Sequence, residues 1–199
     1  MKKQILLPIV TILVCAAILL GLSAGLSGVA AKNAQEAHLQ LMQTLLPDSK
    51  EFTVVPYDGE DANIVSVHKG ENGFVIETVT YGYADEITMY VGVNNDGKVT
   101  GLVVREAHET VGLGNNALTD HEFLSQFLNS SGSFEIATNG ADAFSGATGT
   151  AEAESGETVQ IDGITGATVT SKAIARSVNS AVGYVTGADA VSSATTWGG

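Results

Sequence analysis

After Met1-Lys2-Lys3 the chain runs from Gln4 to Ala31 without a charged residue, in a stretch rich in Ile, Leu, Val and Ala. A membrane-spanning helix needs roughly 20 such residues, so the pattern predicts a retained N-terminal anchor. A cleaved secretory signal is the competing reading, because Val29-Ala30-Ala31 has the small residues of a cleavage site. Signal cores, however, run only about 7–15 residues, and this run is longer. Lys2 and Lys3 place the N-terminus in the cytoplasm and the rest of the chain outside. From Asn33 to Leu46 the residues Ala34, Ala37, Leu41 and Leu45 keep helical spacing, which predicts a short juxtamembrane helix ending before Pro47.

Beyond it the period changes. Phe52–Val55 reads as a strand and Asp58–Asp61 as an acidic turn, within a mixed region reaching Gly70. Three runs rich in β-branched and aromatic residues follow: Gly73–Thr80, Glu86–Val93 and Val99–Val104. Tyr81-Gly82-Tyr83-Ala84-Asp85 separates the first two, and Asn94-Asn95-Asp96-Gly97, with its Asp-Gly hairpin signal, separates the second pair. The simplest arrangement is three antiparallel strands in sequence. Thr119 to Glu122 has the form of a capping box, opening a helix whose apolar face is Phe123, Leu124, Phe127 and Leu128 and which ends at Asn129–Gly132. Phe123 and Phe127 are expected in the core.

The last periodic segment runs from Lys172 to Val185, with Ile174, Val178, Ala181, Val182 and Val185 as an amphipathic stripe. Thr170 or Ser171 can serve as its N-cap, and Gly187 as its stop. Immediately before it stands Asp162-Gly163-Ile164-Thr165-Gly166-Ala167-Thr168. Thr168 follows two residues with almost no side chain, so its hydroxyl is approachable by a bulky group. It also lies beside a first helical turn, where free N–H groups and the positive dipole end favour a phosphate. The arrangement suits a phosphate ester.

The segment Asp-x-x-Thr-Gly-Ala-Thr, followed by Val-Thr-Ser and a helix, resembles the flavinylation motif of the FMN-binding domains found in Rnf-type electron-transport complexes and in sodium-pumping NADH:quinone reductases. His108-Glu109-Thr110-Val111-Gly112-Leu113-Gly114 resembles a second hallmark of that family, reached by the same Gly-Tyr, strand, Asp-Gly-Lys, strand sequence. One position departs, since Val111 stands where the family usually has proline. The resemblance covers about Gly73 to Val185. It implies FMN carried on Thr168 through a phosphodiester bond, installed from FAD by a magnesium-dependent flavin transferase. Thr165, Gly166 and Ala167 would shape the approach to Thr168. Glu109, Thr110, Gly112, Leu113 and Gly114 would hold the ring or ribityl chain. Gly112 and Gly114 let backbone come close to a flat ligand.

Two decoys compete. Asp142–Thr148 fits the same Asp-x-x-Ser/Thr-Gly-Ala-Thr pattern, but no N-capped amphipathic helix follows it, so Thr148 lacks the phosphate-favouring helix start. Gly112-Leu113-Gly114-Asn115-Asn116-Ala117 loosely matches a dinucleotide fingerprint, yet the strands before it read as hairpins rather than a βαβ unit.

Composition narrows the chemistry. With 44% hydrophobic residues in 199, the chain can build a core. Its net charge of −13 disfavours nucleic acid. Cys15, the only cysteine, falls within the apolar run, which excludes an internal disulfide and a cysteine-based metal site. Val14 before it departs from a lipoprotein cleavage pattern. His38, His68, His108 and His121 are scattered, no calcium-loop spacing occurs, and no Gly-x-Ser-x-Gly segment offers a nucleophile.

The expected organisation is an α+β fold, an antiparallel sheet with packed helices forming an FMN-binding domain, preceded by one transmembrane helix. The cytoplasmic tip and anchor occupy 1–31 and the juxtamembrane helix 32–47. An extracytoplasmic domain follows at 48–186, with a Gly/Ala/Ser/Thr-rich insertion at 139–158 and a small-residue tail at 187–199. The resemblance implies an electron-transfer role within an Rnf-like complex, whose other membrane subunits would be the partners. A free-standing anchored flavodomain and a non-redox surface module are the alternatives.

Overall fold

The computed structural model describes residues 30–112, 114–137 and 158–187. Contacts divide the chain into two units, Met1–Leu41 and Met42–Gly199. Residues 30–45 are helical (α1), so helix is present earlier than the expected juxtamembrane boundary; Ala34 and Ala37 are exposed. The expected anchor lies almost wholly outside the described residues, among which no helix is long and apolar enough to cross a membrane.

The second unit is built on a five-stranded antiparallel sheet whose strands neighbour one another in chain order. They are β1 (Thr53–Val55), β2 (Ile64–Lys69), β3 (Gly73–Tyr81), β4 (Glu86–Asn94) and β5 (Val99–Ala107). The three expected strands are β3 to β5. β3 and β4 pair in unbroken register, from Gly73 opposite Asn94 to Tyr81 opposite Glu86. The Asp-Gly turn closes the next hairpin: Gly97, at φ +79°, donates its N–H to the Asn94 carbonyl at 3.0 Å. The Asn94 side chain accepts from the N–H groups of Asp96 and Lys98. β2 is an addition to the expectation; Ser66, His68 and Lys69 break its apolar pattern, and only Ile64 and Val67 are buried.

α4 (Thr168–Thr186) covers one face of the sheet, in contact with β3 and β4. Ile174, Val178, Ala181 and Val182 are buried, in one core cluster with Ile76, Met89 and Val91. Each fully buried Ile or Val side chain contributes about 1.5–3 kcal/mol, so the expected stripe docks the helix. Polar groups in this interface are paired. The Thr80 hydroxyl lies 3.0 Å from the Ala173 carbonyl and 2.9 Å from Ser177 Oγ, and Asn63 Nδ2 donates to Ser180 Oγ at 3.1 Å. Gly187 ends the helix in the left-handed region at φ +68°, as expected. On the opposite sheet face, set by strand alternation, the lack of side chains at Gly92 and Gly101 lets the Leu45 backbone lie close. The Leu45 carbonyl accepts the Thr100 hydroxyl at 2.6 Å.

Three expectations need correction. The antiparallel sheet is accompanied by a parallel pair, β6 (Ser133–Ala137) with β7 (Thr158–Asp162). Thr158, expected to end the insertion, therefore opens a strand, while residues 139–157, Thr148 included, lie outside the described residues, as does the tail beyond Gly187. Asn179 of α4 pairs with β6 in both directions, accepting the Phe134 N–H at 2.7 Å and donating to its carbonyl at 2.9 Å. Second, the helix expected from Thr119 is two short ones, α2 (Gly114–Thr119) and α3 (His121–Ser125). Asp120 is the N-cap of α3, accepting the Phe123 N–H at 3.0 Å, and the Thr119 hydroxyl donates back to the Asn115 carbonyl instead. Phe123 and Phe127 are in the core, packed edge-to-face at 5.5 Å. The third correction is at the start of α4.

Candidate functional site

α4 begins at Thr168, earlier than the pattern suggests, and Ala167 rather than Thr170 or Ser171 is its N-cap. The cause is the turn before it. Ala167 donates its N–H to the Ile164 carbonyl at 2.9 Å, and Gly166 has φ +82°, the geometry of a type II turn with glycine at its third position. That turn delivers the chain into the helix three or four residues sooner than a side-chain cap at Thr170 or Ser171 would. The first i to i−4 bond is from the Ser171 N–H to the Ala167 carbonyl at 2.8 Å. The N–H groups of Thr168, Val169 and Thr170 thus belong to the first turn, which has no intrahelical acceptors.

The side chains divide into two sets. Thr165 and Thr168 are exposed, and Ala167 is buried. Thr170 and Ser171 are fully buried and face inward. Ser171 Oγ accepts the Ile164 N–H at 3.2 Å, tying the helix back to its turn. Thr170 donates its hydroxyl to Glu109 Oε2 at 3.1 Å. These two residues hold the frame and present no surface to a ligand.

Glu109 is the hinge pin of the site. It is 8% exposed, and its other carboxylate oxygen accepts the N–H groups of Tyr83 at 2.8 Å and Ala84 at 3.3 Å. One buried side chain therefore joins three separate segments: the β3–β4 turn, the 108–114 loop and the first turn of α4. Gly82 and Gly114 make this possible, because a Cβ at either would collide with the carboxylate. His108 lies 3.8 Å from Asp85 across the same gap, an exposed pair of small energetic weight. The loop beyond Glu109 is held at its end, with Asn115 N–H on the Thr110 carbonyl at 3.2 Å and Asn116 Nδ2 on the Gly112 carbonyl at 3.0 Å. Thr110, Val111 and Gly112 are exposed, Gly112 with φ +83°. Leu113 lies outside the described residues.

The structure thus brings Glu109, Gly114 and Thr170 into contact, with Thr168 two residues away. Tyr83 and Ala84 belong to the same cluster and are not among the residues expected from the sequence; the Gly-Tyr pair was the available signal. Arg176, further along α4, donates to the Tyr81 carbonyl at 2.7 Å. Its partial burial lowers its pKa below the usual arginine value. A hydrogen bond to Glu86 raises the Tyr81 phenol above the ordinary tyrosine value. A separate groove of about 560 Å³ beside β5, lined by Leu45, Leu102, Val104, Leu118, Leu124 and Leu128 among others, includes none of the expected site residues. Among the described residues no cluster of His, Cys, Asp or Glu could hold a metal ion.

An antiparallel sheet with a helix across it, and a helix start joined through a buried glutamate to a glycine-bearing loop, define an α+β domain. A family model for the FMN-binding domain matches residues 82–183, half of the chain, a span that includes β4, β5, the 108–114 loop and the start of α4; the chain belongs to that family. No curated protein matches it. Membership makes FMN the cofactor and points to a flavin-binding, electron-transfer role. The residues present fit such a group, with an exposed Thr168 hydroxyl at a first helical turn and the small residues Gly166 and Ala167 directly ahead of it.

Proposed function

We propose that this protein is the electron-transfer component of a membrane complex and bears FMN covalently on Thr168 through a phosphoester bond. The observation that supports this reading best is the exposure of Thr168 at the first turn of α4 directly after the Gly166 turn. The Thr168 hydroxyl supplies the ester oxygen, and the N–H groups of Thr168 and Val169 face the phosphate, whose charge the helix start favours. Gly166 leaves the approach open. Glu109 fixes the 108–114 loop against α4, so that the exposed Thr110 and Gly112 border the ribityl chain and ring. When bound, FMN supplies reversible one- and two-electron chemistry. A tether keeps such a cofactor from diffusing away outside the cell.

The wider setting belongs to the same proposal. The N-terminal run anchors the chain with its N-terminus in the cytoplasm, so the folded unit is extracytoplasmic. Its partners are membrane subunits of an Rnf-like ion-translocating complex, and a flavin transferase installs the cofactor. Production with such a transferase, followed by a denaturing gel viewed under ultraviolet light, tests the attachment. The account predicts a fluorescent band that Thr168→Ala removes and Thr148→Ala leaves; the reverse pattern would move the site to Thr148. Purification from membranes without any accompanying protein would favour a free-standing flavodomain.

A further inference from the structure

β5 is an edge strand. Among the described residues β4 is its sheet neighbour on one side. On the other only Val99 is paired, giving its N–H to the Ser130 carbonyl at 3.0 Å and taking the Asn129 N–H at 2.8 Å. Beyond that closed end, Gly101 to Val104 pair with β4 in regular register between two irregularities. These four residues all line the groove of about 560 Å³. Successive strand side chains point to opposite faces, so a groove that touches four in a row lies along the strand's edge, where alternate N–H and C=O groups project. Proteins usually guard such an edge with lysine, proline or a covering segment. Here the run is Gly-Leu-Val-Val, half-buried throughout, and its outer backbone groups have no partner among the described residues. Leu124 and Leu128 of α3 form the facing wall, and Thr44 and Leu45 the third side.

We propose that this groove takes an extended segment of a partner protein as a sixth strand, paired backbone to backbone with Gly101–Val104, apolar at alternate positions and flanked by lysine or arginine. A strand edge with a helix standing alongside lets a peptide join the sheet: main-chain bonds supply affinity, and the apolar wall selects side chains. Alternate side chains of the incoming strand meet the leucines of α3, and the paired stretch spans roughly 13 Å. Charge decides the flanks. α3 has Asp120 as its cap, Glu122 in its first turn and no basic residue in its last, and Glu106 follows on β5. Arg105 is engaged by Glu77 at 2.7 Å, and Lys98 stands at the closed end, beside Val99. In a chain of net charge −13 this rim favours a basic partner over an acidic one or a second copy. The groove includes none of the residues assigned to FMN, so the proposal is independent of flavin attachment.

Full-length protein in nanodiscs of zwitterionic lipid, titrated with the blocked peptide acetyl-Lys-Val-Thr-Val-Thr-Val-Lys-amide against empty discs, tests this. Saturable binding is expected, with slowed amide exchange at alternate residues of Gly101–Val104. Methylating the peptide's backbone N–H groups should weaken binding at least about tenfold, since each lost backbone bond counts for up to about a factor of ten. Exchanging its lysines for glutamates should weaken binding several-fold, by a margin that narrows at high salt. Ser125→Trp, at an exposed position lining the groove, should block binding while urea unfolding shows the fold intact. No saturable binding, or binding that Ser125→Trp leaves unchanged, overturns the proposal. Equal binding of the methylated peptide overturns the strand and leaves a groove for apolar ligands. Equal binding of the glutamate peptide overturns the basic partner. Two copies per disc, reduced to one by Ser125→Trp, would assign the edge to a second copy of the chain and overturn a separate partner.

Discussion

The two arms of the site are held in different ways. The 163–168 turn is secured by its neighbours in the chain: an Ile164–Ala167 backbone bond, a positive-φ glycine and the Ser171 hydroxyl. The 108–114 loop is secured from afar, by a carboxylate that reaches back to Tyr83 and Ala84 and across to Thr170. The local arm sets the direction in which Thr168, the proposed attachment residue, points. The long-range arm sets how far the opposing loop stands from it. Precision at Thr168 is therefore a property of a short peptide, whereas the spacing of the two arms is a property of the whole fold.

Substitutions that sever one arm at a time separate these roles. Glu109→Ala should have the largest effect on stability, because it leaves two backbone N–H groups and a buried hydroxyl without their acceptor; a loss of about 2–3 kcal/mol in urea unfolding is expected. Glu109→Gln retains an acceptor and should cost less. Gly166→Ala forces a side chain into the left-handed region and should cost about 1–2 kcal/mol, while lowering flavin incorporation because Thr168 is re-aimed. Ser171→Ala removes one acceptor from the Ile164 N–H and should cost about 1 kcal/mol. Thr168→Ala, at an exposed first-turn position, should change stability by no more than about 0.5 kcal/mol and abolish flavin attachment. If Thr168→Ala proved as destabilising as Glu109→Ala, the division between attachment residue and frame would fail.

Legibility in the sequence follows the same division between near and far. β3, β4 and β5 could be read because their side-chain period and the Asp96-Gly97 turn are local signals, and α4 because its stripe repeats over several turns. β6 and β7 could not: each is a five-residue strand with exposed polar positions at Glu135 and Gln160, and each is stabilised by a partner distant in the chain. The start of α4 was misplaced for a local reason, since threonine and serine look like caps whether they face the helix end or the core. Here Thr170 and Ser171 face the core, and a backbone turn does the capping. Glu109 was legible as a site residue, but its task was not, because Tyr83 and Ala84 lie on a different loop.

Intact-mass analysis of the mature protein made with a flavin transferase, followed by peptide mapping, tests the central claim most directly. The account predicts one FMN increment on the peptide containing Thr168, absent from Thr168→Ala. Mature protein with the mass of the bare polypeptide, or with the increment mapped to another residue, would contradict it.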